Sequence, residues 1–423
     1  MTTVSAAARP NAPWADTPLI PREHLFGNPA RSAGKISPDG KWVSWMAPWQ
    51  GVMNAFLAPA DDPENPRRMT SAKDRPIPQY FWAPDSQSLL YIRDKEGDEN
   101  FLLYSVPVGA EEGAKEVCLT PFEDTRVQVV GGSETIKNKI LVGLNNRDPR
   151  FHDVHLLDLN TGALELVFEN NAWAGFKADD SLTLRWAMRQ NAEGGTDMHE
   201  IIDGEVAEKP REKTGLDDAL TTGMAGYTTD GSILYWLDSR GRNTGALYAE
   251  DVATGQRTLI AEHDKADIGG TMRHQQTGVV QAWSATYLRT EHHAIDPDIG
   301  KAFAWLREQL TGDFAVQSRT DDDRRWLVSN DPLISPITSY LFDRDAMTLT
   351  RFYTTYPDLE GAPLQPMHAR EIKARDGLTL PSYLTLPPQS DADGDGVPER
   401  PVPMVLVVHG GPWARDAYGF NRT

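Results

Sequence analysis

From about residue 35 to residue 357 the chain alternates apolar and polar positions in short stretches, each bounded by Pro, Asp, Gly and Ser. That period of two predicts half-buried strands rather than helices. The turns recur. Ser37-Pro38-Asp39-Gly40 precedes KWVSWMA, and Ala83-Pro84-Asp85-Ser86 precedes QSLLYIRD. Ala178-Asp179-Asp180-Ser181 precedes LTLRWAMR, Thr229-Asp230-Gly231-Ser232 precedes ILYWLDS, and Asp321-Asp322-Asp323 precedes RRWLVSN. The step is 46 residues from Asp39 to Asp85 and 50 from Asp180 to Asp230; the steps from Asp85 to Asp180 and from Asp230 to Asp322 are close to twice that. The skipped members are ETIKNKILVGLN near residue 136 and QQTGVVQAWSA near residue 277. A second strand signal recurs within the units as NAFLAPADD, FLLYSVPVG, VHLLDLNTG, ALYAEDVATG and SYLFDRDAM.

Seven units of 40–50 residues, each with room for four short antiparallel strands, predict an all-β fold, a seven-bladed β-propeller over residues 35–360 behind an N-terminal segment, residues 1–34. The WD dipeptide signature is absent. One helical period interrupts the pattern: Ile299, Ala302, Phe303, Leu306 and Leu310 share a face and are expected to pack across the edge of blade six. Beyond residue 365 the pattern changes. Two strands are expected around the Asp376-Gly377 turn, then a polar loop, SDADGDGVPERP, then a short strand from Met404 to Val408 of the type buried on both faces. Residues 366–423 therefore read as a separate unit of α/β type.

Composition narrows the function. Of 423 residues 39% are hydrophobic, enough for a core, and the net charge is −19 with no basic stripe, which argues against a nucleic-acid partner. Cys118 is the sole cysteine, so neither an intrachain disulfide nor a thiolate metal cluster is expected; a small buried strand residue is its simplest role. MTTVSAAARPNAPWADTPLIP lacks the basic-then-apolar order of a leader, and no run approaches the roughly 20 apolar residues that span a bilayer. The expectation is a cytoplasmic protein with no membrane partner.

The chemistry gathers at one place. The Met404–Val408 run ends in His409-Gly410-Gly411-Pro412. In α/β-hydrolases a loop of this kind after an early strand offers a backbone N–H to the oxyanion of a tetrahedral intermediate. Other candidates are weaker. Asp391, Asp393, Asp395 and Gly396 match half of a calcium loop with Glu399 at its ninth position, but Val402 stands where a bidentate Glu is needed, so a solvated acidic loop and no metal are expected. His292-His293 lacks the spacing of two imidazoles on one helix face, and His152 with His155 makes a poor ligand pair. No cofactor motif is present.

Three segments, IPREHLFGNPARSAGKISPDGKWVSW (20–45), DKEGDENFLLYSV (94–106) and VPMVLVVHGGPWARDAYGFN (402–421), carry a family likeness along nearly the whole chain. It resembles the prolyl oligopeptidase family of serine peptidases, particularly the acylaminoacyl-peptidase and dipeptidyl-aminopeptidase-like branch. The resemblance implies a propeller set over the mouth of an α/β-hydrolase domain, limiting substrates to short peptides; residues 366–423 would then be the truncated start of that domain, its apolar faces exposed and its chain open to proteolysis from about residue 360. It implies Gly411 N–H as one oxyanion donor, with Gly410 and His409 shaping the loop and His409 not acting as the base. Glu99, in the Gly97-Asp98-Glu99-Asn100 turn of blade two, is a candidate contact for a peptide amine or else a hairpin stabiliser. The family's nucleophile elbow is not found: no serine of the 423 residues has Gly at both −2 and +2, Ser133 in GGSET coming nearest, and the Ser32/Lys35 pair falls in an expected loop. The expectation is a substrate-gating propeller part of a serine peptidase, inactive alone, pairing with a missing C-terminal catalytic portion or with itself. The alternatives are a non-enzymatic propeller that binds peptides or a partner protein, and the front part of an esterase-like hydrolase.

Overall fold

A computed structural model describes residues 16–113, 116–411 and 413–422. The leader expectation, which rests largely on residues 1–15, and the Pro412 position of the His409–Pro412 motif lie outside the described residues. Seven antiparallel sheets follow one another in chain order around a central channel. Blade one comprises Ser32–Ile36, Trp42–Trp49, Val52–Pro59 and Arg67–Arg68; blade two, Gln79–Trp82, Ser88–Arg93, Leu102–Pro107 and Val117–Cys118. Blade three comprises Val127–Gly131, Lys139–Asp148, Phe151–Asp158 and Leu164–Phe168. In blade four, Gly175–Ala178, Leu184–Gln190 and Thr196–Ile202 are followed by two short outer strands, Glu205–Val206 and Glu212–Lys213, both paired to Thr196–Ile202. Blade five holds Gly223–Tyr227, Ile233–Asp238, Ala246–Asp251 and Arg257–Ala261. Blade seven holds Asp313–Arg319, Arg325–Asp331, Thr338–Asp343 and Thr348–Thr354.

Blade six departs from the pattern. It has three strands, Ile268–Arg273, Val280–Thr286 and Thr290–Ala294, and the helix Pro297–Gln309 follows where a fourth would be. Asp296 caps that helix by accepting from Asp298 N at 2.8 Å. Its apolar stripe, Ile299, Ala302, Phe303 and Leu306, packs with Ala282 of blade six and with Phe314, Trp326 and Phe342 of blade seven. The helix thus wedges between two blades, not merely across the edge of one.

The blades are held by alternation. In the second strand of blade two, Leu89 and Tyr91 join a cluster with Met46 and Leu57 of blade one, while Leu90 joins Val127 and Ile140 of blade three. In blade five, Leu234 and Trp236 meet Trp186 of blade four, while Tyr235 meets Ile268 and Val280 of blade six. Successive side chains of a strand point to opposite faces, so each middle strand is apolar on both faces and serves two interfaces. The seven apolar clusters among the described residues match the seven blade junctions.

The ring closes without strand exchange, since blades one and seven are each built from their own end of the chain. Closure rests on Ile36, Val43, Trp45, Leu327, Phe352 and Tyr353 in one cluster. Gly34 N donates to the Tyr353 hydroxyl at 2.9 Å, and Ile36 N to Ser318 Oγ at 2.9 Å. The Asp-rich turns between first and second strands form a collar at one end. Asp39 N donates to Ser86 Oγ at 3.1 Å, Asp180 accepts from Glu134 N at 2.7 Å, Thr229 N donates to Thr277 O at 3.0 Å, and Asp321 N to Pro38 O at 2.8 Å.

Two expectations need correction. Ser32 and Lys35 lie in the inner strand of blade one, not a loop, because Lys35 and Ile36 pair with Ser44 and Val43. Met404–Val408 is not a buried strand: no strand pairs with it among the described residues, and its side chains are 55–86% exposed. A strand of that kind needs neighbours on both edges and both faces, and here it has none. The hairpin before it does form, from Met367–Lys373 and Thr379–Thr385, with Asp376 Oδ1 accepting from Leu378 N at 3.1 Å in the turn. Cys118 is half-buried at the outer rim of blade two, more open than a core position.

Candidate functional site

Because every blade runs in the same sense, the loops joining second and third strands share the end of the ring opposite the Asp collar. Residues 366–422 sit against that end, over blades six and seven. Tyr383 OH donates to Leu288 O at 2.9 Å, and Arg415 donates to Tyr287 O at 2.6 Å. Phe420 N donates to Asp331 Oδ2 at 2.6 Å, while burial holds the Asp331 carboxyl above the usual carboxylate range. The Arg289 guanidinium lies 4.8 Å over the Tyr418 ring.

His409, Gly410 and Gly411 are exposed in this segment. Gly411 has φ +142°, and a Cβ there would fall 2.9 Å from Trp413 N, so the turn requires glycine. The imidazole Nδ1 of His409 lies 2.8 Å from Gly410 O. It meets no serine or carboxylate among the described residues. The backbone here can present an N–H to an oxyanion, but nothing among the described residues places a nucleophile beside it.

Glu99 lies in the loop between second and third strands of blade two, at the same end of the ring. Asp98, not Glu99, organises that turn, accepting from Lys95 N and Asn100 N at 3.1 Å each. Glu99 is exposed, and no hydrogen bond or ion pair joins it to the His409–Gly411 turn. The two candidate groups share an end of the molecule without touching.

The remaining candidates resolve into structural roles. Ser133 is buried and accepts from Ile136 N at 2.7 Å within the blade-three turn. His292 is packed against Phe303 and Phe314, with Nε2 3.1 Å from Phe314 O, while His293 stacks on Trp283 at 4.0 Å. Burial pushes His292 below its ordinary value. His155 Nδ1 lies 3.1 Å from Asp153 O. Asp391, Asp393 and Asp395 bring carboxylate oxygens within 4.8 Å of one another, and Asp391 also meets His368 Nε2 at 3.2 Å and Gly396 N at 3.0 Å. Val402 leaves the twelfth position of a calcium loop without a ligand, so this cluster carries no metal assignment.

Sequence reasoning passed over the channel itself. The first strands of blades three to seven line a cavity of about 680 Å³ that includes Lys177, Arg273 and Trp283. At the collar end, Lys137 of blade three pairs with Asp321 of blade seven across the ring. No spacing rule brings those residues together, because they come from different blades. Among the described residues no helix is long and apolar enough to cross a membrane.

No family model matches the chain. Dipeptidyl aminopeptidase BIII of Pseudoxanthomonas mexicana is 46% identical over 420 residues, which is 99% of this chain and 60% of that protein. Dipeptidyl peptidase family member 6 of Caenorhabditis elegans is 26% identical over 433 residues, 95% of this chain and 58% of that one. The chain thus spans about three fifths of the curated relatives it matches. Among solved structures, a puromycin hydrolase superposes with a TM-score of 0.63 at 16% identity, over 96% of this chain and 66% of its own, which speaks for the fold alone. An identity of 46% held from end to end reflects common descent, not convergence on an architecture: the chain belongs to the prolyl oligopeptidase family of serine peptidases, beside the dipeptidyl aminopeptidases.

Proposed function

We propose that this chain is the substrate-admitting propeller part of a serine peptidase that removes dipeptides from the amino ends of short peptides. The observation that carries the reading is the 46% identity to a dipeptidyl aminopeptidase across 99% of the chain. The ring supports it physically. Seven packed junctions make a rigid wall that excludes folded proteins, while the channel has room for a few residues of extended peptide. Gly411 N–H serves as an oxyanion donor once a nucleophile is brought beside it. Nucleophile, base and orienting acid would come from sequence other than residues 1–423, either a C-terminal catalytic portion or a partner chain. A reducing compartment such as the cytoplasm suits a chain with one cysteine.

The test compares residues 1–423 with the full-length gene product, using a dipeptidyl nitroanilide and a serine-directed fluorophosphonate. The full-length protein is expected to release nitroaniline and take up one label; residues 1–423 are expected to do neither. Stoichiometric labelling of residues 1–423, or a full-length protein without peptidase activity, would sink the reading.

A further inference from the structure

Two cations in the channel have no carboxylate within ion-pair distance among the described residues. Lys177, on the first strand of blade four, and Arg273, on the first strand of blade six, both line the cavity of about 680 Å³. The Lys177 side chain makes no hydrogen bond or ion pair among the described residues. The Arg273 side chain makes one hydrogen bond among the described residues, Nη1 donating to Tyr227 O at 3.1 Å, while its carbonyl accepts from Arg319 Nη2. Its reach is built into blade five. Gly226 has φ +126°, a backbone conformation that favours glycine, and a Cβ there would stand 2.2 Å from Arg273 Nη1, so glycine leaves room for the guanidinium beside that strand.

Three of the other charges along the cavity are already engaged. Arg319 pairs with Asp323 at 2.8 Å, Asp179 with Arg185 at 2.6 Å, and Asp180 accepts from Glu134 N at 2.7 Å and Thr135 Oγ1 at 2.6 Å. Glu134 also lines the cavity and its charge acts on Arg273 at longer range, against the effect of burial, but it lies beyond ion-pair distance of either cation. Burial holds the Lys177 ammonium below the ordinary lysine value, and the charge of Arg273 adds to the effect; burial also lowers Arg273. Two like charges kept near each other in a partly desolvated channel, within a chain of net charge −19, are a cost that an anion would offset.

We propose that Lys177 and Arg273 form a carboxylate-binding site in the channel, and that its ligand is the free carboxylate of a short peptide. The peptide part rests on the function proposed above; the carboxylate site does not. Three features favour a peptide over a small anion. The cavity is far larger than a carboxylate. The edges of the inner strands, at Gly131 and Gly270 among others, offer main-chain groups to an extended chain. The collar end is crossed by Lys137 and Asp321, so a peptide that arrives from the other end meets these cations with its leading terminus. With the carboxyl end held there, the amino end points back toward the His409–Gly411 end of the ring.

Isothermal titration calorimetry on residues 1–423 tests this with penta-alanine as free acid and as C-terminal amide, and with acetate and inorganic phosphate. The free acid is expected to bind at least about tenfold more tightly than the amide, a difference near 1.4 kcal/mol. The Lys177→Met/Arg273→Gln double variant, checked for folding by circular dichroism, is expected to lose that preference; Gly226→Ala is expected to weaken it. Equal binding of acid and amide, or a preference that survives the double variant, overturns the proposal. Should the peptides fail to bind while acetate or phosphate binds wild type and not the double variant, the carboxylate site stands and its peptide ligand is overturned. No binding by any probe overturns both. The acid-versus-amide comparison on the wild type needs no variant to fold.

Discussion

The ring and the segment seated on it treat apolar side chains in opposite ways. In blade seven, Trp326, Leu327 and Val328 are three consecutive residues with no exposure, because alternate faces meet blade six and blade one. In residues 404–408, five consecutive apolar residues of the same strand-like kind are all more than half exposed. Local propensity is similar in the two runs. What differs is the supply of partners: each blade lies between two others delivered by the same repeat, while the Met404–Val408 run has no strand beside it among the described residues. Burial is thus a property of the assembly around a segment, not of its own pattern.

The largest expected effect tests the ring. Trp326→Ala would empty the junction where the helix, blade six and blade seven meet, removing ring contacts to Phe303 and Phe342 and the Nε1 donor to Asp323 Oδ1 at 2.8 Å. The loss should be about 3–5 kcal/mol, read by urea denaturation followed by tryptophan fluorescence and circular dichroism. A loss below about 1 kcal/mol would mean that the junctions do not act together.

A smaller effect tests closure. Tyr353→Phe keeps the packing at the blade-one to blade-seven seam but leaves buried Gly34 N–H without its acceptor at 2.9 Å. The cost should be about 1–2 kcal/mol. The same change at an exposed tyrosine should cost nothing measurable, and equal costs would show that the seam is not where the ring is held.

Much of the ring was legible in the chain, and for a reason. An Asp in several of the turns accepts from a backbone N–H two residues on, as Asp39, Asp85, Asp230 and Asp322 do from Lys41, Gln87, Ser232 and Arg324. Local chemistry repeated from blade to blade leaves a local trace. The helix of blade six was equally visible from Ile299, Ala302, Phe303 and Leu306, but its wedge position was not, since that depends on Trp326 and Phe342 far along the chain. The channel cations escaped notice for the same reason. Lys177 and Arg273 are almost a hundred residues apart and are brought near by blade order, with Gly226 clearing the space. Met404–Val408 misled because its composition describes a setting that the described residues do not supply.

A pH effect distinguishes local turn chemistry from packing. Asp230 is pushed down to about 2, first by the Thr228 hydroxyl, then by Ser232 N–H and its hydroxyl. A carboxyl depressed in the fold stabilises it above the unfolded value near 3.8, and that contribution fades as pH falls from there through about 2. Thr228→Val should raise the carboxyl's pKa, seen by NMR titration of its side-chain carbon, and move acid unfolding to higher pH. An unchanged titration would show that the turn does not depend on that hydroxyl.

The smallest expected change bears most directly on the contrast between the two regions. Leu406 is 77% exposed, so Leu406→Ser removes no packed neighbours and should shift the stability of residues 1–423 by no more than about 0.5 kcal/mol. It should instead raise solubility, because a run of exposed apolar residues invites association between copies, and sedimentation velocity should show less self-association than in wild type. The same substitution in a full-length protein whose catalytic portion covers this run should cost about 2–5 kcal/mol, the range for a buried leucine. A small effect in residues 1–423 with a large one in the longer protein would show that Met404–Val408 is a core strand whose partners lie in other sequence. Small effects in both would show that the run remains on the surface, and its resemblance to a buried strand would then be a matter of composition alone.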